Sequence, residues 1–186
     1  MEEPFNAYID GFNLYMGALI KNPAYKWLDL LKLCSEAMPQ NSLNEVHYFT
    51  ARVKERFQGD KAPARQHAYL RVLTDQGVQV HLGKFRKDSD WTRITATHSS
   101  SLLEPQLAGH LGLTEVAFKK AIDAARPDRP KTRVERFEEK GSDVNLASYL
   151  LRDAYLNKVT TQLVITGDSD LLTPMTFAVQ QGVAVH

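Results

Sequence analysis

Four aspartates in this chain stand where strands should end: Asp10 in Y-I-D-G-F-N, Asp143 in K-G-S-D-V-N, and Asp168 and Asp170 in V-I-T-G-D-S-D. Strands of one parallel sheet finish on a common edge, and ligands of open α/β sheets bind outside those carboxyl ends, where strand order reverses. Acids spread over most of the sequence would therefore meet in one cleft. Two unscreened carboxylates about 4 Å apart repel by about 4 kcal/mol at an effective dielectric of 20. A cluster of four must take up protons, spread apart or bind cations. Oxygen-only donors select Mg²⁺ or Mn²⁺ and, through the ion, a phosphate. Zinc would normally bring Cys or several His. The chain has one cysteine, Cys34, and its six histidines (positions 47, 67, 81, 98, 110 and 186) show no ligand spacing. His47 and His81 fall in expected strands and read as satisfied sheet residues.

Each acid also has a plainer reading. Asp10 precedes Gly11 and can cap the next helix, and Asn13 is an ordinary turn or cap residue. Asp143 follows Ser142, a good N-cap, and an acid in a first helical turn is favoured by the helix dipole. Lys140 and Asn145 nevertheless place a cation and an amide at the same mouth. Asp168 and Asp170 are the sharpest pair, because capping one helix needs only one acid. Thr166 and Ser169 add hydroxyls beside them.

The elements that must carry these residues alternate between strand and helix. Strands are expected over Phe5–Asp10, Val46–Ala51, Val78–Phe85, Val134–Phe137 and Gln162–Thr166, from their β-branched, aromatic and apolar composition. Helices are expected after Gly11, over Leu28–Met38, Lys61–Gln76 and Asp143–Tyr155, and from Pro174. In Asp143–Tyr155, Val144, Ala147, Leu151 and Ala154 form an inner face, with Arg152, Asp153 and Asn157 toward water. Such alternation implies an α/β fold, a doubly wound, mostly parallel sheet. The stretch 86–133 is apolar-poor, holds Trp91, the run Thr97–Ser101 and three prolines, and has one helical pattern over Thr114–Ala125. It reads as an insertion within a single domain, 1–186. The final G-V-A-V-H reads as a strand.

Bulk properties narrow the partners. The chain has 186 residues, 43% hydrophobic and 24% charged, an ordinary globular composition. Lys plus Arg number 23 against 22 Asp plus Glu, which excludes a protein that coats nucleic acid by bulk charge. A local basic rim is still available: Arg52, Lys54 and Arg56 after the second strand, and Lys84, Arg86 and Lys87 after the third. Tyr15, Phe57, Phe85 and Trp91 could stack bases beside it. The acidic N-terminus and the lack of a spanning apolar stretch argue for no membrane association and a cytoplasmic location. The lone cysteine fits a reducing compartment.

Three segments, Y-I-D-G-F-N-L-Y, E-K-G-S-D-V-N-L-A-S-Y-L-L-R-D-A-Y and V-I-T-G-D-S-D-L-L-T-P-M, together resemble the NYN domain, a branch of the PIN-like nucleases. The resemblance spans most of the chain, except 86–133. It implies a Rossmann-like, three-layer PIN-like fold and a metal-dependent endoribonuclease, a hydrolase of RNA phosphodiesters. It further implies that Asp10, Asp143, Asp168 and Asp170 hold Mg²⁺ or Mn²⁺, with Asn13 as accompanying amide. RNA, in single-stranded segments, is the partner this implies. Lys140, Arg52, Lys54, Lys84, Arg86, Thr166 and Ser169 are the candidates to touch it. A homo-oligomer or a protein regulator stays open as a further partner.

Two rivals stand beside this reading. A haloacid-dehalogenase-type phosphatase also uses an Asp after the first strand, a Lys and a late G-D motif. It requires an acid two residues after the first Asp, where this chain has Phe12, and another four after the late Asp, where Leu172 stands. The second rival is a non-catalytic RNA-binding or regulatory module that keeps the acids for structure.

Overall fold

The structure is a computed structural model that describes residues 3–55, 57–93 and 131–186. Strand β1 (Pro4–Asp10) is buried at every position beyond Pro4, so its run of apolar residues has no solvent face to serve. It is followed by a short helix α1 (Gly11–Leu14), which widens into a π-type turn over Tyr15–Leu19. Helix α2 (Leu30–Ala37) leads to β2 (Ser42–Ala51), and α3 (Ala62–Asp75) leads to β3 (Gln79–Arg93). Strand β4 (Lys131–Lys140) precedes helix α4 (Ser142–Tyr155). Strand β5 (Thr161–Ile165), a 3₁₀ turn (Ser169–Leu171), helix α5 (Leu172–Gln180) and β6 (Ala184–Val185) complete the chain.

The strands lie in the order β4-β3-β2-β1-β5-β6. Every pairing from β3 through β6 is parallel. The chain moves outward from β1 to β2 and β3, then returns to place β5 and β6 on the other side. Strand order therefore reverses between β1 and β5, and Asp10 and Asp168 follow the two strands that flank that point. This is the α/β, Rossmann-like architecture with a mostly parallel central sheet expected from the sequence.

Period-2 alternation along β1 divides the core between two faces. Phe5, Ala7 and Ile9 pack with Leu30, Cys34, Leu70 and Leu73 of α2 and α3. Tyr8 packs on the opposite side with Leu146, Leu150 and Ala154 of α4 and Ala178 of α5. Two compact units make up the chain: Met1–Arg86 with Glu138–His186, and Lys87–Phe137. The second overlaps the stretch set apart by its composition. The helical pattern at Thr114–Ala125 and the run Thr97–Ser101 lie outside the described residues.

Three sequence expectations change. Strand β3 extends to Arg93 rather than stopping at Phe85, so Arg86 and Trp91 lie on it; their side chains are outside the described part. The inner face of α4 is Leu146, Leu150, Asp153 and Ala154, whereas Val144 is 68% exposed. Asp153 is fully buried rather than turned to water. An acid at a core position breaks the apolar periodicity, and the remaining apolar residues then fit a stripe shifted around the helix. Gly141, not Ser142, occupies the α4 cap position, and Ser142 is buried as the first helical residue.

Candidate active site

Asp10 ends β1 only 3% exposed, and its carboxylate is anchored from two sides of the strand-order reversal. Its Oδ1 accepts the Asn13 backbone N–H at 2.9 Å, and its Oδ2 accepts from Asn13 Nδ2 at 2.5 Å and from Thr166 Oγ1 at 3.3 Å. Thr166 Oγ1 in turn accepts the Asp168 backbone N–H at 3.1 Å. The loop after β5 is thus tied to the end of β1 through one hydroxyl. The tight approach of β1 to β2 requires Gly11: a Cβ there would lie 2.4 Å from Tyr48 Cζ and 2.9 Å from the Phe49 carbonyl oxygen.

Both capping roles anticipated for these acids are present. Asp10 caps α1 through Asn13, and Asp168 Oδ1 caps the 3₁₀ turn by accepting the Asp170 N–H at 2.9 Å. Asp170 and Ser169 are exposed beside them. A carboxylate offers about four acceptor positions, so capping leaves both groups with lone pairs to spare.

Asp143 comes to the same mouth from the start of α4. Partial withdrawal from water pushes its carboxyl above the usual range, and the negative charges of Asp10, Asp168 and Asp170 push it further in the same direction. The four acids named from the sequence therefore share one electrostatic neighbourhood. They do not, however, bring three carboxylate oxygens within 4.8 Å of one another; among the described residues that spacing is met by Glu45, His47 and Asp153.

The cationic rim is partly in place. Arg52 and Lys54 are exposed directly after β2, and Lys84 is exposed on β3 beside Gly83, which pairs with Ala51. Lys140 is exposed at the end of β4. Of the aromatic candidates, Tyr15 is 44% and Phe57 64% exposed. Phe12, adjacent to the Asp10–Gly11 turn and 48% exposed, offers a flat face that the sequence reading passed over. Phe85 and Trp91 side chains, like Arg56, lie outside the described residues.

A second polar cluster, not anticipated from the sequence, lies under α4, with His47 and Asp153 buried and Glu45 partly exposed. Glu45, His47 and Asp153 bring one donor atom each to within 4.8 Å of one another. Asp153 Oδ1 meets Arg152 at 2.6 Å and Lys158 at 3.3 Å, while Oδ2 accepts from Tyr8 Oη at 2.9 Å. Burial alone would raise the Asp153 carboxyl, but hydrogen bonds from Arg152, Tyr8 and Lys158 outweigh it and hold it below the usual carboxylate range. Burial lowers the pKa of His47 despite the nearby charges of Asp153 and Glu45. His47 and His81 are not independently satisfied sheet residues: their Nδ1 and Nε2 lie 3.0 Å apart, and His47 Nε2 has no hydrogen-bond partner. The available signal was Glu45 and His47 at alternate positions of a central strand, which puts both on one face.

No known family's sequence profile matches the chain. It is 28% identical over 189 residues to 6-hydroxy-3-succinoylpyridine 3-monooxygenase HspA of Pseudomonas putida, an alignment covering 88% of this chain and 52% of that protein. The chain thus spans about half the length of this curated relative. Its structure is similar to the crystal structure of a protein of unknown function from Vibrio parahaemolyticus, with a TM-score of 0.50 and 13% identity over 99% of this chain and 79% of that one. That likeness shows the fold alone. Among the described residues, no helix is long and apolar enough to cross a membrane.

Proposed function

We propose that the chain is an NYN-type, metal-dependent endoribonuclease whose site is the mouth between Asp10, Asp143, Asp168 and Asp170. The observation that carries this reading is the tie between Asp10 at the end of β1 and the Asp168 loop after β5, made through the Thr166 hydroxyl. Asp10 and Asp168 follow the two strands that flank the strand-order reversal, where α/β sheets bind ligands. A bound Mg²⁺ or Mn²⁺ supplies Lewis acidity toward a phosphate oxygen and offsets the acid charge. Asn13 and Thr166 fix the orientation of the Asp10 carboxylate. Asp143, the acid with raised proton affinity, is the residue best suited to hold a proton during hydrolysis. Arg52, Lys54, Lys84, Lys140 and Arg86 hold the RNA backbone and make affinity salt-dependent. Phe12, Tyr15 and Phe57 stack unpaired bases.

Cleavage of a single-stranded RNA with Mg²⁺ or Mn²⁺ tests the reading. Asp168→Asn should lower cleavage about 100-fold or more, at the scale of losing an electrostatic catalytic group, with the circular-dichroism spectrum unchanged. Undiminished activity in that variant refutes the assignment. Tight RNA binding without cleavage in the unaltered chain favours the non-catalytic module instead, and turnover of a generic phosphomonoester favours the phosphatase.

The similarity to the Pseudomonas putida monooxygenase supports a second reading, an oxygenase acting on a hydroxylated pyridine. Oxygen consumption with 6-hydroxy-3-succinoylpyridine and a two-electron reductant, in the absence of RNA cleavage, would replace the nuclease assignment.

A further inference from the structure

We infer that Glu45, His47 and Asp153 form a second divalent-metal site, selective for a borderline transition ion such as Zn²⁺ and separate from the acidic mouth. The two lie on one helix: Asp143 opens α4 and Asp153 sits ten residues along it, about 15 Å at 1.5 Å per residue.

Donor spacing is the first argument. Ligands 2.0–2.2 Å from a tetrahedral zinc ion stand about 3.3–3.6 Å from one another. His47 Nε2 lies 3.3 Å from Glu45 Oε2 and 3.7 Å from Asp153 Oδ2, and the third edge is within 4.8 Å. One nitrogen and two carboxylate oxygens form a mixed donor set, unlike the all-oxygen acidic mouth.

The second argument is an orphaned group. His47 is fully buried, and its Nε2 points between two carboxylates without a hydrogen bond. Asn6 Nδ2 and Gln162 Oε1 are likewise buried without partners. Asn6 pairs in register with both Glu45 and Gln162, and His47 lies two residues beyond Glu45, opposite Tyr8, so the three orphans sit on neighbouring strands. Buried polar atoms are rarely left unpaired, and a concentration of them marks a place for an ion or water.

The third argument is the surrounding shell. A metal-ligating histidine commonly donates its other ring N–H to a fixed acceptor, and ligating carboxylates are themselves hydrogen-bonded. With Nε2 on the ion, His47 Nδ1–H donates to His81 Nε2 at 3.0 Å. Tyr8 orients Asp153 Oδ2, while Arg152 and Lys158 occupy Oδ1 and leave a lone pair on Oδ2. Tyr8 in turn accepts from Gln162 Nε2 at 3.3 Å. Glu45, 34% exposed, is the route by which an ion enters.

Equilibrium dialysis of the full chain against Zn²⁺, with metal counted by mass spectrometry, tests the site in three proteins. The unaltered chain and Asp168→Asn should each hold one tightly bound Zn²⁺. Glu45→Gln, at a partly exposed position that folding tolerates, should bind it at least 10-fold more weakly. Replacing Zn²⁺ by Co²⁺ should give a visible spectrum that His47→Gln abolishes. Absence of tight Zn²⁺ binding, unchanged affinity in Glu45→Gln, or loss of the ion in Asp168→Asn overturns the proposal. None of these results depends on RNA cleavage.

Discussion

Asp143 is the acid whose ionised form the fold disfavours. Although Asp143 is exposed, partial loss of hydration and the charges of Asp10, Asp168 and Asp170 raise its carboxyl, outweighing a backbone hydrogen bond that acts the other way. Asp143→Asn should therefore leave the melting temperature unchanged or raise it by about 1–2 °C, the scale of a near-surface substitution, while RNA cleavage falls. A drop of several degrees would mean that Asp143 holds α4 in place instead. Cys34 provides a pH probe remote from the mouth. Burial pushes its thiol from the ordinary value near 9 up to about 12. Its folded-state pKa is raised, so the stability it confers is complete below about pH 9 and is lost as pH climbs toward about 12. Thermal melts of Cys34→Ala should show a shallower alkaline decline than the unaltered chain, and identical slopes would refute this. The capping by Asp10 and Asp168 was legible, because Asp beside Gly at a strand end commonly starts a helix. Asp153 was not legible, since an acid beside Arg152 on a helix ordinarily faces solvent. Only the long-range neighbours Tyr8 and His47 reveal its burial.

Among the elements, β3 and α4 decide where Asp143 stands. Their junction has no room to spare: a Cβ on Gly83 would lie 2.6 Å from Ser142 Oγ and 2.8 Å from the Lys140 carbonyl oxygen. Gly83→Val should cost about 1–3 kcal/mol, the usual penalty of overpacking, and displace the first turn of α4. Urea unfolding and cleavage assays on the same preparation would check this, with activity expected to fall about 10-fold or more. Retained stability and activity would show that β3 does not set the position of Asp143. Strand positions were readable from β-branched and aromatic runs, and β1, β2 and β5 lie where those runs predicted. The phase of α4 was not readable, because its buried stripe of Leu146, Leu150 and Ala154 includes the charged Asp153. The length of β3 was equally hidden, since Lys87 through Trp91 lack the alternation that marks a half-buried strand.

At the scale of the whole chain, the doubly wound sheet sets the ends of β1 and β5 beside each other. Chain order places Asp10 after the first strand and Asp168 and Asp170 near the end, and the charges of all three reach Asp143 at the start of α4. The regular strand–helix alternation foretold the parallel pairing of β2, β1 and β5, which puts the ends of β1 and β5 side by side. It did not foretell the polar core beneath, which depends on which faces of β1, β2 and α4 meet. The most direct test is a crystal of the chain soaked in Mn²⁺ and measured for anomalous scattering. The account predicts a peak within about 2.2 Å of carboxylate oxygens from both Asp10 and Asp168, at ordinary Mn²⁺–oxygen contact distance. Clear density for both side chains with no peak between them at saturating Mn²⁺ would contradict it.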